Sequence, residues 1–414
     1  MTKFGGFVLR VIQVVAIVLV VVGFGTSSTF AQPRAYVANR SDNTVSVINS
    51  ATNTVVATVL VGRTPAAVAV TPDGDFAYVA NASDGTVSVI DSATNTVGAT
   101  VPVGPGPVGI AITPDGAFVY VTNGGTNTVS VIDTATNIVI ATVTVGIAPF
   151  GVAITPDGNF AYVANAITNT VAVIDTTTNT VSVTIPGFVL PAFIGITPNG
   201  AFAYVTNADS TTVKVIDTAT NTVSTTIPVG PIPARIAITP NGAFAYVAHD
   251  PFINLVSVID TATNTAIATV PVGNALAVAI RPDGAFAYVT NVLDNAVTVI
   301  DTATNTVVAS IPVGAGPFSI AFPAGPADPI GSLTAQVQAL VAGNSLTRNE
   351  GARLIDKLEH VRAKIDKGQL GAACNQFTAF INQVNAFINN RSLTKSQGQA
   401  LINAAQAIKA GAGC

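Results

Sequence analysis

Between Gln32 and Gly331 this chain has no glutamate and no cysteine, and its only histidine there is His249. Tryptophan is missing throughout, the sole methionine is Met1, and charged side chains make up 9% of the 414 residues. Each gap narrows the chemistry. A thiol nucleophile is excluded from that stretch, and no nucleophile elbow or metalloprotease signature accompanies the lone histidine. No loop has the spacing of an EF-hand, so neither a metal nor a cofactor is expected. A Ser–His–Asp arrangement drawn from distant positions stays open. The charges that remain are uneven. Residues 32–331 carry 17 Asp against 6 Lys or Arg, a net of −11, which argues against nucleic acid as a partner. Residues 332–414 carry 9 basic and 4 acidic side chains, a net of +5. That balance suits either attachment to anionic envelope polymers or a solvated face.

Long apolar runs are scarce too. The one that stands out, Val11–Phe24, is 14 residues, short of the roughly 20 that span a bilayer. Lys3 and Arg10 precede or open it, and Thr29-Phe30-Ala31 follows, which reads as an export signal over residues 1–31 with the mature chain starting near Gln32. An uncleaved membrane anchor is the alternative. No cysteine lies nearby for lipid attachment and no second apolar span follows, so no stable membrane span is expected after cleavage. The expected address is secreted, periplasmic or cell-surface associated.

What the chain has is repetition. Tyr36, Tyr78, Tyr120, Tyr162, Tyr204, Tyr246 and Tyr288 each open a YV[AT][NH] segment, at a constant spacing of 42 residues. Between them run VSVID-type segments, a [DN]-[ST]-[AT]-T-N turn, an apolar stretch usually ending in PVG, and TP[DN]G. Each unit therefore offers four short segments rich in Val, Ile, Thr and Ala, broken by Gly, Pro, Asn and Asp, the pattern of a four-stranded antiparallel sheet. Four strands per unit at this period predict a β-propeller. A blade stacked between two others is covered on both faces, which accounts for strands that are apolar nearly throughout. The first unit lacks an innermost strand, and the last ends on one, Pro317–Phe322. Pairing the two completes a seventh blade and leaves no open edge.

The YVTN, VSVID and TPDG segments resemble those of the YVTN-repeat seven-bladed β-propeller family, which includes surface-layer and YncE-like secreted proteins, over about residues 35–323. The resemblance implies a binding or structural protein of the envelope or exterior, with an extracellular or envelope protein or glycan as partner and no shared catalytic residues to carry over. The alternative is a propeller enzyme, a lactone or ester hydrolase or a lyase, with its site at the central channel. Analogy of fold does not choose between them.

Polar residues present in every unit serve the unit. The Asp of TPDG and the Asp of D-[ST]-[AT]-T-N suit turns whose amides a carboxylate can cap, and Asn replaces either without loss of pattern (Asn199, Asn241, Asn49). Function is expected where the copies differ. Two sets of loops vary, those joining the second and third strands and those joining the outer strand to the next inner one, and both fall on one face. Within them YVAHDPFIN (246–254) puts His249 in place of Asn and adds a residue, while the next loop, GNALA, is one residue shorter. This is either a reshaped pocket or compensating drift. His249, Asp250, Arg235, Arg63 and Arg40 are candidate polar contacts. Phe188, Phe193 and Phe252, with Phe150, Val189 and Leu190, are candidates for an apolar patch.

After a linker over 325–331, residues 332–414 turn helical. Leu354, Ile355, Leu358, Val361 and Ile365, then Phe377, Phe380, Ile381, Val384 and Phe387, recur at helical spacing. SLTRNEGARLI from Ser345 and SLTKSQGQALI from Ser392 form a second repeat, each opening with a capping box. The module is expected to be about four helices, and it resembles the FIMAH-like modules of secreted bacterial proteins. Cys374 and Cys414, the only cysteines, are expected to form a disulfide in an oxidising compartment, with two free thiols as the alternative.

Overall fold

The computed structural model describes residues 34–323, 329–342, 345–365 and 369–411. The expected export signal and Cys414 lie outside them. The described residues form 28 strands, β1 (Arg34–Asn39) to β28 (Pro317–Ala321), followed by four helices. One blade serves for all: β4 (Pro65–Val70), β5 (Phe76–Asn81), β6 (Thr86–Asp91) and β7 (Thr96–Pro102) pair antiparallel in that order, from the axis outward. The seven sheets close as the chain ends imply. β28 pairs antiparallel with β1, Tyr36 opposite Ala321 and Val37 opposite Ile320, and β2 (Thr44–Asn49) and β3 (Thr54–Leu60) complete that blade.

Seven apolar layers, one between each pair of neighbouring blades, make the core. In one of them Tyr36 and Val47 of the closing blade pack with Val68, Val79 and Ile90 of the next. Middle strands are accordingly buried along their central residues. The outer strands are not: Val55, Val56, Ile138, Ile140 and Val308 are exposed. Burial on both faces thus accounts for three strands of each blade, whereas the fourth keeps apolar β-formers at the rim because they suit the pleat.

The repeated tyrosine is also a fastener. Its hydroxyl donates to the turn asparagine of the next blade, as in Tyr78 to Asn137 (2.9 Å), Tyr162 to Asn221 (2.6 Å) and, across the closure, Tyr288 to Asn53 (2.6 Å). Tyr36 differs and meets the Ser92 hydroxyl at 2.7 Å. Burial lifts the phenols of Tyr78 and Tyr162 to about 12, so they stay donors. Each such bond contributes about 1 kcal/mol. The acceptor asparagines stand at φ near +54°, a left-handed geometry that asparagine tolerates. The turn aspartates behave as expected. Asp91 accepts from the amides of Ala93 and Thr94, and Asp73 accepts from the Thr71 hydroxyl and the Asp75 amide.

The helices are α1 (Pro329–Ala342), α2 (Arg348–Ile365), α3 (Leu370–Asn389) and α4 (Lys395–Gly411). α1 starts at Pro329, so residues 329–331 are helical although they read as linker; proline suits a first helical turn, where its missing N–H is not needed. Leu354, Leu358, Val361, Phe377, Phe380 and Val384 are fully buried in one shared core. Both capping boxes form, Thr347 with Glu350 and Thr394 with Gln397, and they are tied to each other: Ser392 donates to Glu350 (2.6 Å) and Gln397 to the Ser345 hydroxyl (3.0 Å). No helix among the described residues is long and apolar enough to cross a membrane.

Candidate functional site

The inner strands are β4 and β28 with β8 (Pro107–Ile112), β12 (Pro149–Ile154), β16 (Pro191–Ile196), β20 (Pro233–Ile238) and β24 (Ala275–Ile280). They line a cavity of about 150 Å³ on the axis. Every inner strand is bulged near its start or across from its partner's end, β20 between Pro233 and Ile236, for example. A bulge re-aims one side chain. In these strands Ala67, Gly109, Gly151, Phe193, Arg235, Ala277 and Ser319 occupy equivalent positions around the cavity. Only one of the seven is charged.

Arg235, expected among the variable loops, therefore belongs to an inner strand. Its guanidinium carbon lies 4.1 Å from the centre of the Phe193 ring and 5.5 Å from that of Phe318. It donates to the Ala66 carbonyl (2.9 Å), across the channel, and to the Ser319 hydroxyl (3.3 Å). Arg40 stacks on the same Phe318 ring at 4.5 Å. Phe150 meets Phe193 edge-on, centroids 6.5 Å apart. Burial draws the Arg235 pKa down to about 9, with repulsion from Arg40 second, and the group stays charged at neutral pH. Among the described residues neither Arg40 nor Arg235 has a carboxylate within ion-pairing distance. Arg63 does: its exposed side chain meets Asp84 at 2.6 Å, and the bonds from the Arg63 amide and side chain hold the Asp84 carboxyl below its ordinary value.

The two variable loop sets do lie on one face. In blade after blade their backbones bond together, Ala82 N–H to Thr64, Gly124 to Gly106, Asp250 to Ile232. The loop changes flanking His249 meet as well. Asn274 N–H donates to the Asn254 side chain at 2.7 Å, the same bond that Thr64 makes to Asn43 where neither loop has changed length. One loop's extra residue is thus matched by the other's missing one.

His249 is a correction to the candidate contacts. It is fully buried, and both ring nitrogens are used inside its own blade. Nδ1 donates to the Pro231 carbonyl (2.7 Å), which leaves Nε2 to accept from the Ser257 hydroxyl (2.9 Å). Asn39 fills the same slot in the closing blade, donating to Thr44 and Ser46. A buried base held by a carbonyl, with no carboxylate on Nδ1, gives no Ser–His–Asp arrangement at the axis. Phe188 is a second correction. It is 4% exposed and packs into the layer between two blades, so it offers no surface. Phe252 (79% exposed), Val189, Leu190 and Phe150 remain at the surface. Asp250 is half-buried and caps its own loop at the Phe252 amide. Phe318 and Ser319, which complete the channel mouth, were missed by reading loops alone. Aligning the inner strands at the 42-residue period would have found both.

Burial pulls the His249 pKa down from its ordinary 6.5. The unfolded chain then takes up a proton that the folded protein resists, so stability falls as pH drops below about 6.5, by up to about 1.4 kcal/mol per pH unit. In urea titrations at pH 7 and pH 5.5, His249→Asn is expected to lose less stability than the parent over that interval. Equal losses would show that the ring is free to protonate in place.

Among the described residues no group of three or more His, Cys, Asp or Glu is placed to hold a metal ion. No curated protein matches the sequence. A family model described as YNCE-like β-propeller matches residues 12–118 and 109–210. Among solved structures the chain is similar to one from Kuenenia stuttgartiensis hydrazine synthase, with a TM-score of 0.59 and 27% identity over 63% of this chain and 90% of that one. It is also similar in fold to a protein of unknown function from Desulfotomaculum acetoxidans, TM-score 0.61 and 19% identity over 70% of this chain and 98% of that one. With seven four-stranded blades closed on themselves and a family model matching residues 12–118 and 109–210, the chain is a seven-bladed β-propeller similar to the YNCE-like β-propellers.

Proposed function

We propose that this chain is exported and acts outside the cytoplasm as a binding protein, presenting the variable-loop face of the propeller to an envelope or extracellular protein or glycan. The observation that carries the reading is the channel mouth. There Arg40, Phe318, Arg235 and Phe193 stack into a cationic, aromatic surface within a body that is otherwise strongly acidic. Exposed Phe252, Val189 and Leu190 lie in the loops around it. Cations over rings and exposed aromatics are the groups that anchor partner surfaces. On the opposite face one turn recurs six times and the other seven, and the cation that stacks on a ring there, Arg281 on Phe286, is neutralised by Asp283. Export is supported by Lys3, Arg10 and the apolar run before Ala31. A disulfide between Cys374 and Cys414 goes with it, supported by the absence of a free cysteine among the described residues.

Fractionation of cells making the tagged full-length chain is expected to place it outside the cytoplasm, beginning near Gln32 and showing no free thiol until reduced. Retention of envelope material by that exported protein should drop with Arg40→Ala combined with Phe252→Ala, and should not drop with Val56→Ser at the rim. A cytoplasmic chain with two free thiols, or equal retention by all three proteins, would refute the reading.

A further inference from the structure

We propose that the mouth of the axial channel is a receptor site for a small carboxylate borne on an apolar group, with Arg235 holding the carboxylate and Arg40 beside it. The proposal takes from the reading above only that the variable face binds; it requires neither export nor a macromolecular partner.

The seven blades supply their own comparison. At the position of Arg235 the other six carry Ala67, Gly109, Gly151, Phe193, Ala277 and Ser319, all neutral, so closing the ring does not call for a cation. A half-buried charge with no counter-charge lowers stability, because the water it gives up is not replaced by an opposite charge. Stacking on Phe193 and Phe318 and two hydrogen bonds offset part of that. Of the five N–H donors of a guanidinium, the Ala66 and Ser319 bonds engage two, and the rest meet no acceptor among the described residues. Arg40 on the shared Phe318 ring adds a second positive charge, which raises the cost further. An anion between them would relieve both.

The surroundings narrow the kind of anion. Side-chain donors in the cavity are few: the guanidinium edges and one serine hydroxyl, which also accepts from the Val68 amide at 3.3 Å. A planar, two-oxygen head is matched by one guanidinium fork, whereas the third oxygen and second charge of a phosphate call on side-chain donors beyond it. Phe193 forms one wall, with Phe150 edge-on to it, and gives an apolar stem a ring to lie against. The Val or Ile side chain at the next position of every inner strand, from Val68 to Ile320, packs into the layers between blades. At about 150 Å³ the space equals roughly five waters at about 30 Å³ each, enough for a carboxylate on a short aliphatic or single-ring stem.

The test is titration calorimetry and thermal melting of purified full-length protein with benzoate, cyclohexanecarboxylate, benzylamine and inorganic phosphate. Both carboxylates are expected to bind with a millimolar or tighter Kd and to raise Tm, more strongly than phosphate, and benzylamine to do neither. Arg235→Met should weaken carboxylate binding at least about tenfold, as expected on losing a charge-assisted contact, while its own Tm without ligand stays level or rises. Arg235→Lys keeps the charge and the length but not the fork, and should also weaken binding. Phosphate binding more tightly than the carboxylates, benzylamine binding as well as they do, or either Arg235 variant binding like the parent would overturn the proposal. Failure of envelope retention with carboxylate binding intact would count against the macromolecular partner alone.

Discussion

Ending the chain after Ala315 should leave no cooperatively folded propeller, whereas ending it after Ala324 should leave one that melts much as the whole protein does. The shorter chain lacks β28, so β1 is left with an unpaired inner edge. It also loses Ile320 and Phe322, both at least nine-tenths buried, and the edge-on contact of Phe322 with Tyr288 at 5.0 Å. Two large apolar side chains are together worth about 3–6 kcal/mol on burial. The lost ladder comes on top of that, against a net stability for most domains of about 5–15 kcal/mol. The longer chain keeps every one of these contacts and drops only the helices, which have a core of their own. Circular dichroism melts of the two truncated proteins decide the matter. A sharp transition in the shorter chain at the parent's temperature would mean that the ring does not depend on its closing strand.

The second large effect is expected from one methyl group. A Cβ added at Gly109 would stand 2.1 Å from the Phe150 carbonyl oxygen, on the backbone of the neighbouring inner strand, and 2.8 Å from the Thr122 hydroxyl, which donates to that same carbonyl. Backbone cannot swing aside as a side-chain tip can, so two blades must move apart. Gly109→Ala is expected to lose about 3 kcal/mol or more, in the range of overpacked cores. Gly98, on the outer strand of the blade before, has nothing within 4 Å of its added Cβ. Gly98→Ala should stay within about 0.5 kcal/mol of the parent. Urea midpoints at unchanged slope are the measurement, and similar losses at the two sites would show that the inner strands are less tightly packed than their spacing implies.

The ring was legible in the chain because it is written seven times: the tyrosine spacing gave the blade count, and the mismatched ends gave the closure. The site was legible only in part. Arg235 was singled out, but the prolines of GPIPAR made its surroundings read as loop, whereas the inner strand starts at Pro233 and a bulge sends Arg235 to the axis. His249 drew notice as a change of residue type, yet residue type does not reveal burial, and an imidazole can take over an amide's bonds. Phe188 shows the same limit. A phenylalanine in a variable loop can fold back into the gap between blades, and its neighbours Val189 and Leu190 do not.

Tyr288 finds Asn53 at a separation of 235 positions along the chain. A ribosome delivers the second of these residues long before the first. Until the end of the body emerges, the opening strands wait with a bare edge and apolar faces uncovered, so maturation should be slow and its early products prone to stick to one another. Helpers that hold nascent chains apart should therefore matter more to the yield of this protein than to that of a helical bundle of equal size.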